Sequence, residues 1–201
     1  MLDRMGGATR RALRKAGSAG LKVEFRQDEV AMRTYFELHC LTRKRQGIPP
    51  QPWRFFENIA RHVLEAKQGF VAIATAKRPV AAAVFFKKER EAIYKFGASD
   101  YRWQELRANN LVMWESMKRL AREGIEHLSL GRTSMGNEGL RRFKVGFGAR
   151  EQKLDYCRYD LREELFVMSG DGAEGWGTRV FRRLPLPLLR LAGRMIYPHL
   201  S

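Results

Sequence analysis

The spacing of apolar residues changes several times along the chain, and each change marks an element. Thr9–Ala16 reads TRRALRKA, a basic helical segment ended by Gly17-Ser18-Ala19-Gly20. Lys22–Phe25 alternates as a short strand. Asp28 is a helix cap, and EVAMRTYFELHCLTRKR follows it with Met32, Phe36, Leu38 and Leu41 inward. Gly47-Ile48-Pro49-Pro50-Gln51-Pro52 ends that helix, because prolines remove donors and fix φ. Trp53–Lys67 predicts a second amphipathic helix with Phe56, Ile59, Val63 and Leu64 inward. Three strands come next: Phe70–Ala76, Val80–Lys87 and Ala92–Ala98. The connections Lys77-Arg78-Pro79 and Lys88-Glu89-Arg90-Glu91 are short and polar, so the strands are expected to pair antiparallel.

The stretch from Leu106 to Gly148 has the densest local signals. Asn109 or Asn110 is expected to cap a helix that buries Leu111, Trp114, Met117, Leu120 and Ala121. Glu115 and Arg119 stand four apart on its wet face, and Gly124 stops it. Ile125–Leu130 alternates as a strand, and Gly131-Arg132-Thr133-Ser134 forms a polar loop at its carboxyl end. In open α/β sheets ligands collect at that end. A second helix, from about Asn137 to Val145, brings Arg141, Arg142 and Lys144 near the loop. Arg150–Asp160 reads as a last strand.

The expected order is strand, helix, helix, three meander strands, helix, strand, helix, strand. It resembles the GNAT acyltransferase fold, and within it the Fem family and wider FemAB-like proteins, non-ribosomal aminoacyl transferases of peptidoglycan bridges. The residues that carry the resemblance are Ala108-Asn109-Asn110-Leu111-Val112-Met113-Trp114-Glu115, Leu130-Gly131-Arg132-Thr133-Ser134, Gly139-Leu140-Arg141-Arg142-Phe143-Lys144 and Gly146-Phe147-Gly148. TRRALRKAGSAGL and Thr42-Arg43-Lys44-Arg45-Gln46-Gly47 with Pro49-Pro50 also look like the family, so the likeness spans residues 9 to about 160. It implies an α/β fold with a GNAT-like mixed sheet flanked by helices.

Two departures from the family pattern matter. Ser129 stands where Fem-like proteins often carry an acid, and only the second of their two GNAT-like halves is recognisable, which implies a second half or subunit as partner. Acetyl-CoA enzymes of the fold hold pyrophosphate with a glycine-rich loop before the long helix. Here Asp100–Arg107, DYRWQELR, has no glycine. The resemblance therefore implies no cofactor, with an activated acyl donor such as aminoacyl-tRNA and CoA as the less expected donor.

Charge adds partners to this picture. The net charge is +16; residues 1–26 hold seven basic and two acidic side chains, and residues 176–201 hold five Arg and no acid. Basic ends fit an anionic partner such as RNA, a phosphorylated substrate or a membrane surface, or simply a soluble basic surface. The two cysteines, Cys40 and Cys157, and four scattered histidines form no metal-ligand spacing, and no metal is expected. His39 beside Cys40 reads as packing rather than a catalytic pair. With no amino-terminal apolar stretch and no run of about 18 apolar residues, a cytoplasmic location is expected, peripheral to the inner membrane face if the tail docks.

The chemistry can be argued from the residues. Moving an acyl group from an ester to an amine places negative charge on the carbonyl oxygen, and a fixed cation beside it contributes on the order of 10²–10³ in rate. Lys144, preceded by Phe143, is the candidate. The resemblance associates this Phe-Lys pair with substrate placement and charge stabilisation; the plain alternative is a solvated lysine and a core phenylalanine. Arg132 is a candidate phosphate or carboxylate grip, with Thr133 and Ser134 beside it; a loop ion pair would explain it equally. Arg141 and Arg142 are either a substrate-facing pair or a basic helix face, and Asn109 and Asn110 are caps before they are ligands.

A domain over residues 1–160 is therefore expected, followed by a linker and basic amphipathic tail over 161–201. Ser169–Gly175 is Gly-rich, and from Pro187 a helix would set Arg190 and Arg194 on one face and Leu188, Leu191 and Met195 on another. Such segments lie in a membrane interface; packing of these leucines on the domain is the alternative. Three functions remain: a Fem-like transferase acting on a cell-envelope precursor or other amine acceptor, a non-catalytic domain binding anionic lipid or RNA, and a CoA-dependent N-acetyltransferase.

Overall fold

In the computed structural model, residues 4–155, 157–168 and 177–197 are described. Helix α1 (Gly7–Ser18) precedes strand β1 (Lys22–Arg26); α2 (Glu29–Gln46) and α3 (Trp53–Ile59) follow, α3 continuing as a π-helical turn to Leu64. Strands β2 (Gly69–Thr75), β3 (Pro79–Lys88) and β4 (Glu91–Ser99) lead through a 3-10 turn (Tyr101–Leu106) to α4 (Ala108–Arg122). Then come β5 (His127–Ser129), α5 (Glu138–Gly146), β6 (Cys157–Asp160), β7 (Leu165–Met168), α6 (Gly177–Arg183) and α7 (Leu186–Ile196).

The main sheet has the order β1-β2-β3-β4-β5, antiparallel except for the parallel β4–β5 pair. This is an α/β sheet of mixed direction with helices on both faces. Side-chain alternation divides the core. Val71, Ile73, Ala82 and Val84 face α2 and α3, where they meet Met32, Tyr35, Phe36, Phe56 and Leu64. Phe70, Ala72, Ala83 and Phe85 face α1 and α4, where they meet Val112, Met113 and Leu120. β2 and most of β3 are buried on both faces, which accounts for their near-continuous runs of Ala, Val and Phe.

Asp28 caps α2, its Oδ1 accepting from Ala31 N–H at 2.9 Å, and Gly47 ends that helix at φ 71°. The caps of α4 differ from expectation. The helix begins at Ala108, and the capping position belongs to Arg107, held at φ 56°. Asn109 and Asn110 therefore lie inside the first turn. The buried face is also rotated: Ala108, Val112, Met113, Ser116 and Leu120 are buried, while Leu111, Trp114 and Met117 are half-buried and Ala121 is exposed. Leu111 and Trp114 turn toward α1, which packs beside α4, and line an open concavity between the two helices. The expected Glu115–Arg119 pair is replaced by Glu115–Lys118 at 2.8 Å and Arg119–Glu123 at 2.7 Å.

Two further expectations change. Residues 150–155 are not a strand, and β6 pairs only with β7 as a separate hairpin, outside the main sheet. The carboxyl-terminal helices dock on the domain instead of standing apart. Leu189 is fully buried, and a Cβ on Gly193 would collide with the Pro50 carbonyl, so α7 and the Pro49-Pro50 bend approach closely. Arg190, expected to face no acid, pairs with Glu37 and stacks over Phe36. The Ser169–Gly175 linker expectation, together with Trp176 and residues 198–201, falls outside the described residues.

Candidate active site

The site is built where β4 and β5 part. β4 pairs with β3 along its length, but with β5 only through Glu91, Ala92 and Ile93. Immediately afterwards β4 bulges. Phe85 opposes Tyr94 and Val84 opposes Phe96, leaving Lys95 as the extra residue. The bulge switches faces: Tyr94 packs with the α4 cluster, whereas Phe96, two residues on, packs with the α2 cluster. The edge of β4 beyond Ile93 thus has no strand partner on the β5 side among the described residues. A bare strand edge presents N–H and C=O groups to any extended ligand.

The far end of this edge is closed. Ser99 gives its N–H to Thr42 Oγ1 (3.0 Å) and accepts from the same hydroxyl at its carbonyl (3.1 Å). Beyond it Asp100, only 3% exposed, receives Arg78 at 2.7 Å and a bidentate Arg102, Nε on Oδ1 and Nη2 on Oδ2. Its Oδ1 also caps Arg102 N–H at 3.1 Å. Hydrogen bonding from Arg102, outweighing desolvation and aided by Arg78, lowers the Asp100 pKa to about 2. A carboxylate-anchored turn therefore occupies the β4–α4 connection, and Arg107 supplies a left-handed residue there.

The other wall is the loop after β5. Ser129 Oγ accepts from Gly131 N–H at 3.2 Å, and Gly131 (φ 69°) comes up against the Tyr94 carbonyl. Lys144 reaches this loop from α5. It is 7% exposed, and its Nζ donates to the carbonyls of Gly131 (2.9 Å) and Arg132 (3.0 Å). Burial lowers its pKa below the usual lysine value. An ammonium has three donors, so one proton remains after these two bonds. Tyr94 contributes a phenol whose hydroxyl sits where a side chain on Gly97 would be. Burial pushes its pKa up to about 12, so it stays a neutral donor.

The structure gathers Lys144 with Gly131, Arg132 and, through the loop, Thr133 and Ser134. Arg132 and Ser134 are exposed and Thr133 half-buried. Phe143 is half-buried and packs edge-on to Phe147 at 5.2 Å. Asn109 joins the opposite end, its Nδ2 donating to Ser99 Oγ at 3.1 Å; Asn110 lies half-buried in the same turn. Arg141 and Arg142 are exposed and already engaged, with Glu151 and Glu138. Sequence reading missed Tyr94, Thr42 and the Asp100–Arg78–Arg102 cluster. Their only signal was a tyrosine three residues before a glycine within a strand, and an acid ending that strand.

Solved structures share this architecture. FemX superposes with a TM-score of 0.66 at 17% identity, over 73% of this chain and 55% of FemX, so the chain spans about half of that protein. The ribosomal-protein-S18-alanine N-acetyltransferase from Escherichia coli matches at TM-score 0.56 and 12% identity, over 77% of this chain and 99% of its own. AAC(6')-Iy, solved with the bisubstrate analogue CoA-S-monomethyl-acetylneamine, matches at TM-score 0.56 and 11% identity, over 69% and 97%. No sequence match to a curated protein is found. The family model for the acetyltransferase (GNAT) domain matches residues 7–145, which hold the β4–β5 gap, its loop and Lys144, and the chain belongs to that family.

Proposed function

We propose that the chain is a Fem-like acyltransferase domain that moves an activated acyl group, such as an aminoacyl group carried by tRNA, to an amine of a cell-envelope precursor. The supporting observation is Lys144: a buried cation whose position is set by two loop carbonyls at the end of β5, with one donor to spare. An extended acyl donor lying along the open edge of β4 would place its carbonyl against this group. The amine nitrogen attacks the carbonyl carbon, a C–N bond forms, the ester C–O bond breaks, and the amine proton leaves with the departing oxygen. Lys144 stabilises the oxyanion formed between these events. Tyr94, its hydroxyl over Gly97 on the face of β4, is a second donor near that edge.

The carboxylate-anchored turn at Asp100 favours a donor other than CoA, because a pyrophosphate needs converging amides or a glycine-rich nest. The second reading, CoA-dependent N-acetyl transfer, is favoured by the strand parting and bulge in a fold shared with acetyltransferases. Incubating the protein with an amine acceptor and either labelled aminoacyl-tRNA or labelled acetyl-CoA separates the two. Transfer only from acetyl-CoA would discard the Fem-like reading. An acceptor groove shared with a second half or subunit is consistent with the 55% coverage of FemX.

Peripheral docking on an anionic membrane belongs to the same proposal. No helix among the described residues is long and apolar enough to cross a membrane. On α7, Leu188, Leu191 and Met195 are 51%, 53% and 65% exposed and fall on one stripe, while Leu189 holds the opposite side to the domain. An acceptor carried on a lipid would meet the enzyme at that surface.

A further inference from the structure

A second concavity lies away from the β4–β5 gap, between α1 and α4. It is open to solvent, offers about 710 Å3, and is lined chiefly by Arg10, Arg11, Arg14, Leu111, Trp114 and Glu115. None of these residues belongs to β4, β5 or α5. Its volume is that of an ordinary small-ligand site, which runs from about 300 to 1,000 Å3. Leu13, Leu111 and the Trp114 indole line it with apolar surface, and all three are half-buried. Arg10, Arg11 and Arg14 stand at its rim, exposed and without an ion pair among the described residues. The one acid lining it, Glu115, has its charge paired by Lys118 through Oε1 at 2.8 Å, and a carboxylate bound this way keeps further acceptor sites.

We infer that this pocket binds a nucleoside phosphate. Each wall has one chemical demand. Three guanidiniums with no acid between them match a phosphate, which they can meet with paired N–H donors. The indole face and two leucines match a flat, weakly polar ring system, and aromatic stacking of a base contributes about 1–3 kcal/mol. Glu115 accepts but does not donate, so it selects a ligand carrying hydroxyl or amino hydrogens. A nucleoside phosphate has all three parts within one compact molecule. An alkyl phosphate would satisfy the arginines but leave the Glu115 acceptor facing methylene. Inorganic phosphate would leave the apolar surface wet. The inference stands apart from the acyl-transfer proposal, because occupation of this pocket is read by binding alone.

The test is isothermal calorimetry of the full chain with uridine and adenosine 5′-monophosphates, uridine, inorganic phosphate and octyl phosphate. A monophosphate should bind with a Kd below about 1 mM, at least tenfold tighter than the nucleoside or inorganic phosphate. The double variant Arg10→Gln/Arg14→Gln, altered only at exposed side chains, should weaken that Kd about tenfold or more with an unchanged melting temperature. Trp114→Leu should weaken it too and remove nucleotide quenching of the indole emission. Three results overturn the inference: no monophosphate binding at about 1 mM, equal binding by the arginine double variant, or tighter binding of octyl phosphate. Loss of acyl transfer in Lys144 variants with intact nucleotide binding would keep the two proposals separate.

Discussion

Lys144 Nζ and the Gly131 carbonyl are 2.9 Å apart, joined across thirteen residues of chain. The bond fixes a helix of one element to the loop of another, at the place where β4 and β5 separate. If the spare donor of this amine stabilises an oxyanion, Lys144→Met should lower turnover by ~10²-fold or more in a folded protein. The Gly131 and Arg132 residues are exposed, so water can replace the lost donor and the melting temperature should fall only slightly. Burial depresses the Lys144 pKa, so activity that needs its charge should decline with rising pH before an ordinary lysine titrates. Single-turnover rates against pH would show this; unchanged turnover in folded Lys144→Met removes the residue from the mechanism.

The donor is a separate question. The β4–α4 turn is built on Asp100 and on Arg107 at φ 56°, with no glycine from 100 to 107. CoA should therefore show no micromolar Kd by calorimetry, and finding one would favour the N-acetyltransferase reading. The left-handed residue gives a second handle. Arg107→Gly relieves a backbone penalty of about 1 kcal/mol but adds freedom to the unfolded chain, so stability should change by less than ~1 kcal/mol. A β-branched Arg107→Val should cost more than that. Urea unfolding of the two variants checks the geometry of the turn directly.

The meander was legible because its signals are local. Lys77-Arg78-Pro79 and the alternation of Phe70, Ala72 and Ala74 against Val71 and Ile73 need no distant partner. The same holds for Asp28 and Gly47. What could not be read depends on contacts between distant segments. A lysine on a short helix reads as solvated, and Lys144 is buried only because carbonyls twelve and thirteen residues away accept its protons. The flank of α4 that carries Leu111 and Trp114 faces α1, which sits at the other end of the sequence. The docking of α7 depends on Gly193 meeting Pro50, and the bulge at Lys95 leaves no mark in residue type.

His39 and Asp100 define two acid windows. His39 is 4% exposed, with Nε2 against Gln51 Oε1 at 2.8 Å and Nδ1 near the Tyr35 hydroxyl at 3.2 Å. Desolvation, with Arg43 adding to it, lowers its pKa from 6.5 to about 4. Between these values the unfolded chain binds the proton and the folded chain does not. Stability is therefore complete above 6.5 and falls as the pH drops toward 4, by on the order of 3 kcal/mol. His39→Gln should be less stable at neutral pH but flatter across that window. Asp100 acts later, losing its contribution as the pH falls from 3.8 through about 2; its arginine partners are half-exposed or more, which screens the loss to ~1–2 kcal/mol. Urea titrations at successive pH values should resolve the first loss from the second, and an unchanged slope in His39→Gln would assign it elsewhere.

The α7 surface gives the last prediction, and the docking of that helix decides how to test it. Removing residues after Gly175 would uncover Phe36 and the Pro50 bend, against which Arg190 and Gly193 lie, so truncation would confuse unfolding with release. The exposed stripe can be changed instead. Leu188→Ser/Leu191→Ser/Met195→Ser alters side chains that are each more than half exposed, and the fold should survive it. Arg179, Arg182 and Arg183 of α6 and Arg194 of α7 are exposed, and near an anionic leaflet each contributes about 1 kcal/mol, a salt-sensitive attraction. Insertion of the three apolar side chains adds a part that salt does not remove. Vesicles of phosphatidylglycerol should therefore retain the intact chain at low salt and a smaller fraction at high salt. The triple variant should bind at low salt and release fully at high salt, because only its charge remains. Equal retention of both proteins at high salt would mean that the stripe does not enter the bilayer, and no retention of either at low salt would sink membrane docking altogether.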